Sequence, residues 1–410
     1  MALRILTVWI FGSTVACFAG ETETWPQWRG PGRDCQLEPR TWPTGLQDGD
    51  LKQMFRVPLG ESYSGPIVTE DRIFVTETVG SSEAVYALDR STGKQIWKVD
   101  WSGSMTVPFF ASANGSWIRA TPAYAEGQLF VASMEAVLVC LNAENGEEIW
   151  RKDVRKEFGT SNQSFGFACS PLVHEGHVFV QTAAGLLKID SATGKTVWQS
   201  LNESGGMMGG AFSSPVVATL QGVSQLVVQT RSKLCGVDID GGRELWSAAI
   251  PAFRGMNILT PTVIGDRIFT SSYGGGSFLF EVRQTGGKFS ATEIWKAKTE
   301  AYMSSPVVVD GSIYVHLRNQ RVTCLDAATG KTLWTTKPFG KYWSMVANGS
   351  KVLALDERGD LLLLDLKAKE FVKVDSRHVS DQSTWAHLAV ADNQVFVREL
   401  KGLKVFEWGE

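Results

Sequence analysis

The acidic side chains of this sequence fall at repeated positions. Asp89, Asp190, Asp238 and Asp326 each stand at one fixed distance ahead of a tryptophan: Trp97, Trp198, Trp246 and Trp334. A glycine lies between each pair, at Gly93, Gly194, Gly242 and Gly330, and Asn142 with Gly146 precedes Trp150 in the same way. Carboxylates can serve as general acids or bases when a cleft brings them to a substrate. A carboxylate that recurs in step with Gly and Trp instead reads as a turn cap. It accepts from backbone N–H groups, the Gly takes positive φ at no steric cost, and the Trp buries a large apolar area.

The remaining reactive residues form no constellation. His174, His177, His316, His378 and His387 are scattered without HExxH spacing, and the six cysteines (Cys17, Cys35, Cys140, Cys169, Cys235, Cys324) show no CxxC and no Cys/His cluster. Cys140 and Cys324 sit in apolar strand patterns and read as buried free thiols, with neither a disulfide framework nor structural zinc expected. GGMMGG at 205–210 and SSYGGGS at 271–277 lack the helix and Lys-Ser/Thr pair of a phosphate loop, so they read as connections. There is no GxSxG. Catalytic, cofactor and metal ligands are therefore expected to be absent.

The elements that carry these residues repeat too. Each unit opens with a segment such as SGPIV at 64–68, ATPAY at 120 or SSPVV at 213 and 304, continues through two strand patterns, and closes on a tryptophan strand. The closing residues are Trp97, Trp150, Trp198, Trp246, Trp295 and Trp334, about 40–50 residues apart, the period of a four-stranded propeller blade. A seventh unit at 343–379 puts Phe371 at the tryptophan position. The eighth, at 385–408, has only three strands. LKQMFRVPLG at 51–60, with Phe55 as its aromatic, supplies the fourth and removes two open edges. The expected fold is an all-β, eight-bladed propeller over 51–410, closed by pairing of this N-terminal strand with the C-terminal blade. A lead-in occupies 21–50 and a signal peptide 1–20.

The 410 residues are 43% hydrophobic and 20% charged with a net charge of −3, which points away from nucleic acid as a partner. Arg4, the apolar run from Ile5 to Ala16 and small residues at Ala19 and Gly20 fit an export signal too short to span a membrane. Export to a periplasmic or extracellular site is expected. Lipid anchoring at Cys17, and hence membrane association, is the alternative.

The pattern Asp-x-x-Thr-Gly-x-x-x-Trp, intact at 89–97, 190–198 and 326–334, resembles the blade-docking motif of quinoprotein-type (PQQ-like) propellers. The resemblance covers nearly all of 51–408, and WPQWRGP at 25–31 is similar to the lead-in of such proteins. That family has a dehydrogenase branch and a BamB-like branch that serves as a scaffold in outer-membrane protein assembly. The dehydrogenase branch implies PQQ with Ca²⁺, adjacent cysteines forming a vicinal disulfide, and a catalytic Asp. This sequence has no adjacent cysteines, and its acids are mostly those of the repeated turn. The resemblance thus implies a non-catalytic scaffold of the BamB-like branch, and a monomer is expected. A PQQ-dependent or sugar-oxidising enzyme and a carbohydrate-binding module are the alternatives.

Propeller geometry puts the inter-unit loops and the second-to-third strand turns on one face. The inter-unit loops carry Tyr63, Trp117, Phe165, Phe167, Phe212, Tyr302, Trp343 and Trp385, with Arg119 and Arg254 among them. Arg231, Arg318, Arg358 and Lys401 fall at equivalent strand turns of units four, six, seven and eight, where units one to three have Ser82, Glu135 and Ala183. This face is the expected site for an extended or acidic protein segment, or for a polysaccharide.

Overall fold

In the computed structural model, which describes residues 23–37, 41–203, 212–301 and 303–409, eight sheets follow one another along the chain, each built on four antiparallel strands. The expected signal segment, Cys17, GGMMGG and Tyr302 lie outside the described residues. Blade 1 shows the plan: Ile67–Val68, Arg72–Val79, Ser82–Asp89 and Gln95–Ser102, paired in that order. Blade 8 is composite. Leu51–Pro58 pairs antiparallel with Gly402–Trp408, so the chain's two ends share one sheet. The architecture is the expected eight-bladed propeller.

The repeated turn works as its residue types dictate. Asp89 Oδ1 accepts from the Thr92 N–H at 2.8 Å and the Thr92 hydroxyl at 2.6 Å. Asp190 and Asp326 do the same with Thr193 and Thr329. These bonds favour the ionised form and hold all three carboxyls below the usual range. The residue after the cap then donates to the first hairpin turn of its own blade, as in Ala143 N–H to Gly127 O and Ser191 N–H to Gly176 O. Both sets of turns therefore share one face, opposite the inter-blade loops.

The tryptophans join one blade to the next. Trp97, Trp150, Trp198, Trp295 and Trp334 each donate their indole N–H to a carbonyl in the third-to-fourth strand connection of the following blade, at 2.8–3.2 Å. The glycine of that following turn lies flat on the ring. A Cβ on Gly146 would come within 2.9 Å of Trp97, and one on Gly194 within 2.7 Å of Trp150. Gly93 meets Phe55 in this way, so the aromatic of the composite blade docks on blade 1. Each such ring covers roughly 150–250 Å², which at ~25 cal/mol/Å² gives about 4–6 kcal/mol of gross apolar stabilisation per seam.

Two seams depart from the plan. Blade 5 has no Asp–Gly turn; its last two strands, Gly276–Thr285 and Lys288–Ala297, form one long hairpin. With no turn carbonyl in reach, Trp246 donates to Gln225 Oε1 of its own blade at 2.6 Å while its ring packs with Ile268, Phe278 and Phe280 of blade 5. Phe371, expected at a tryptophan position, instead turns its ring back onto Trp334 of the preceding blade, at 5.7 Å. The connection before it lacks the glycine that elsewhere leaves room for the indole, and an aromatic ring fills that place.

The channel is filled by the lead-in. Trp25 bridges Val68 of blade 1, Pro26 O accepts from Tyr124, and Gln36–Leu37 runs parallel to the inner strand of blade 7. Arg29 and Arg33 are buried among the inner strands, donating to Pro306 O at 2.8 Å and Pro171 O at 2.8 Å. Arg29, Arg33 and Cys35 all have φ between 55° and 65°, the left-handed region that non-glycine residues seldom occupy.

Candidate functional site

At the mouth, the inter-blade loops converge on a cavity of about 440 Å³. Its floor is the tip of the lead-in: Trp28, fixed by its indole N–H to Thr260 Oγ1 at 3.2 Å and set edge-on to His387 at 5.0 Å. The walls come from the segments that precede each inner strand, which is why aromatics from distant parts of the chain meet. Tyr63 packs on Trp385 at 3.9 Å, and Tyr342 stacks on the same indole at 3.5 Å. On the other side Phe110, Phe165 and Phe212 form an edge-to-face chain with centroids 6.3 and 5.8 Å apart. The rim is strongly apolar: Phe109 is 89% exposed, Phe110 59% and Phe253 50%. Exposure of this kind on a folded surface marks interaction sites.

The charge in this cavity is one-signed. Arg119 and Arg254 line it, and among the described residues no Asp or Glu does. Arg119 donates to Gly115 O at 3.0 Å and Trp117 O at 3.3 Å, and burial pulls it down to about 10, which leaves it cationic at neutral pH. Arg254 sits at φ 55° on a short 3₁₀ turn with its guanidinium 5.2 Å from the Phe253 ring. Among the described residues neither has a carboxylate partner. Two of the turn cations farther out differ. Arg318 pairs with Glu300 at 3.5 Å and Lys401 with Glu61 at 3.1 Å. Glu203 accepts from the backbone N–H of Arg231 at 3.1 Å, and Arg358 donates to Phe339 O at 3.1 Å.

The structure thus brings Arg119, Arg254, Trp343 and Trp385 together at one cavity. Trp117 stands behind Tyr63, and Phe167 is buried in the core. Arg231, Arg318, Arg358 and Lys401 lie at the strand turns where their spacing puts them. Trp28, Phe110, Phe253, Tyr273 and His387 line the cavity without having been picked out from sequence as site residues. The adjacent Phe109 and Phe110 in the connector after blade 1 were a signal available in the sequence.

Groups suited to acid–base chemistry are sparse here. His387 is buried, its Nδ1 against Leu388 O at 2.7 Å and its Nε2 3.4 Å from Cys35 Sγ; burial lowers it to about 4, so it is neutral. Ser304, also on the wall, lies 3.4 Å from His316 Nδ1, but burial lowers that imidazole to about 4 as well, and no carboxylate orients it. No group of three or more His, Cys, Asp or Glu among the described residues could hold a metal ion. The cavity's donor set does not fit quinone-bound Ca²⁺, which needs an oxygen-rich, carboxylate-bearing cage. The five described cysteines are free and buried, and no helix among the described residues is long and apolar enough to cross a membrane.

A family model described as outer membrane protein assembly factor BamB matches residues 81–336, more than half of the chain. The protein of that name from Yersinia pestis is 25% identical over 308 residues, covering 72% of this chain and 70% of that one. Among solved structures, BamB from Moraxella catarrhalis matches with a TM-score of 0.62 at 15% identity, over 87% of this chain and all of that one. The quinohemoprotein alcohol dehydrogenase ADHIIG from Pseudomonas putida matches with a TM-score of 0.65 at 13% identity, over 94% of this chain and 80% of the enzyme. At such identities the structural likenesses speak for the fold alone.

Proposed function

This chain belongs to the propeller family described as outer membrane protein assembly factor BamB, and on that premise we propose that it is an exported, non-catalytic scaffold whose mouth face seats a protein partner. The observation that carries the reading is the mouth cavity itself: aromatic walls, two guanidinium groups and a floor pinned by Trp28, with no carboxylate among its described lining residues. Such a surface has the aromatic and arginine anchors of a recognition site and lacks the positioned acid, base and metal ligands that oxidation of an alcohol would need. Fold alone would not separate the two readings, since the same propeller carries dehydrogenases.

Two measurements test it. A photo-reactive amino acid placed at Trp117 or Arg254 should cross-link to one protein of the outer-membrane assembly machinery, while the same probe at Glu126, on the opposite face, should not. The mature protein titrated with PQQ and Ca²⁺ should show no saturable change in tryptophan fluorescence and no dye reduction with alcohols or sugars. Saturable binding with dye reduction would make the enzyme reading the right one.

A further inference from the structure

Resting on that reading, we infer that the mouth cavity takes an extended peptide segment in which an acidic side chain stands beside an aromatic one. The carboxylate meets Arg119 and Arg254, and the ring enters between Tyr63–Trp385 and Phe165–Phe212. The first support is the contrast in ion pairing. The outer cations Arg318 and Lys401 have carboxylate partners in the fold, whereas the two that face the cavity have none among the described residues. Arg119 is held by backbone carbonyls, so its position is fixed, and no carboxylate among the described residues forms an ion pair with it. A half-buried cation without a counter-ion has already lost part of its hydration. An incoming carboxylate then gains a charge-assisted, directional pair.

The lead-in adds to the same field. Arg29 and Arg33 lie buried beneath Trp28, and neither has a carboxylate partner among the described residues; Nη1 of Arg29 and Nε of Arg33 have no hydrogen-bond acceptor. Four guanidinium groups therefore surround or underlie one cavity whose described lining residues include no acid. Low-dielectric walls focus such a field on whatever enters.

The apolar rim selects among anions. A cavity of about 440 Å³ holds only one or two side chains, yet exposed Phe109, Phe110 and Phe253 continue the apolar surface outside it. That continuation suits a chain with further apolar groups on either side of its anchor. A uronic-acid polymer carries no apolar side chain to fill the pocket beside its carboxylate, and a lone small anion would leave the rings uncovered.

The probe is a fluorescein-labelled ten-residue peptide with two Asp-Phe pairs in a Gly/Ser background, followed by anisotropy with the mature protein. Saturable binding is expected, weakening with added salt. R119Q and the peptide's Asp→Asn version should each weaken it at least tenfold, the scale of a charged hydrogen bond. R254Q, on an exposed turn where folding is not at risk, should weaken it severalfold. Replacing both peptide Phe residues by Ser should abolish it, and excess oligogalacturonate or inorganic phosphate should not displace it. Equal binding of the Asn peptide, or unchanged binding by both arginine variants, would overturn the inference, as would displacement by the uronate. If cross-links at Trp117 and Arg254 still capture an assembly protein while the peptide fails, only this inference falls. If PQQ binds with dye reduction, the scaffold reading falls with it.

Discussion

At the scale of single residues, the seams are set by glycines that do two jobs at once. Gly146 and Gly127 lie in the same blade with nearly equal φ, 79° and 78°, but a Cβ on Gly146 would strike Trp97 while one on Gly127 meets nothing within 4 Å. Gly127→Ala should cost about 1 kcal/mol, the backbone penalty alone. Gly146→Ala adds overpacking and should cost about 2–4 kcal/mol. Urea midpoints of the two variants measure the difference directly; equal losses would mean that the ring contact contributes nothing. Titration gives a second test. Glu83 is buried, accepting from Trp101 Nε1 at 3.2 Å and the Met134 N–H at 3.0 Å, and burial raises it to about 7. Between its ordinary value of 4.5 and about 7 the native state holds a proton that the unfolded chain has released, so this residue makes stability fall as pH rises through that window. Glu83→Gln should flatten that part of the pH profile. The capping aspartates act with the opposite sign: their lowered values favour the fold above the usual 3.8 and lose that contribution as pH drops below it.

At the scale of elements, what the sequence disclosed was whatever repeats. The Asp–Gly–Trp spacing gave the turn chemistry, and the recurring strand patterns gave the blade count and the composite blade, because a local motif fixes a local geometry wherever it occurs. Non-repeating elements were not legible. Trp246 reads like its five counterparts, and only the long hairpin of the next blade explains why its indole N–H turns inward to Gln225. Phe371 occupies a tryptophan's place in spacing but fills a glycine's place in space. The path of the lead-in depends on contacts with inner strands hundreds of residues away, which no local pattern encodes. That path makes a prediction of its own. Arg29 is buried with its charge spread over Pro306 O, Asp34 O and Cys35 Sγ. Arg29→Ala leaves those acceptors unpaired and a void behind Trp28, and should cost about 3 kcal/mol. It should also blunt any ligand-induced change in tryptophan fluorescence, since the cavity floor loosens. A variant as stable as the parent would mean that the lead-in merely rests in the channel.

At the scale of the whole molecule, the two faces differ in role because the chain enters at one and the cavity opens at the other. Glu23 is tied to Asp392 and Arg90: its N–H donates to Asp392 Oδ1 at 2.8 Å, and its carbonyl accepts from Arg90 Nη1 at 3.1 Å. Asp392 and Arg90 both belong to the turn face opposite the mouth. A tether attached ahead of Glu23, whether a lipid or a bead, therefore holds that turn face and leaves the mouth directed away. Because the described cysteines are all buried, a single introduced surface thiol reports this cleanly on a chain lacking residues 1–20. With the protein fixed to a bead by a short N-terminal linker, F109C should react with a bulky maleimide as fast as it does free in solution. E126C, on the turn face, should be slowed severalfold. If the bead slowed F109C instead, the mouth would face the anchor, and a partner could reach it only from the anchored side. The expected result makes the propeller a presenting device: anchored by one face, plugged along its axis, and open to a partner at the other.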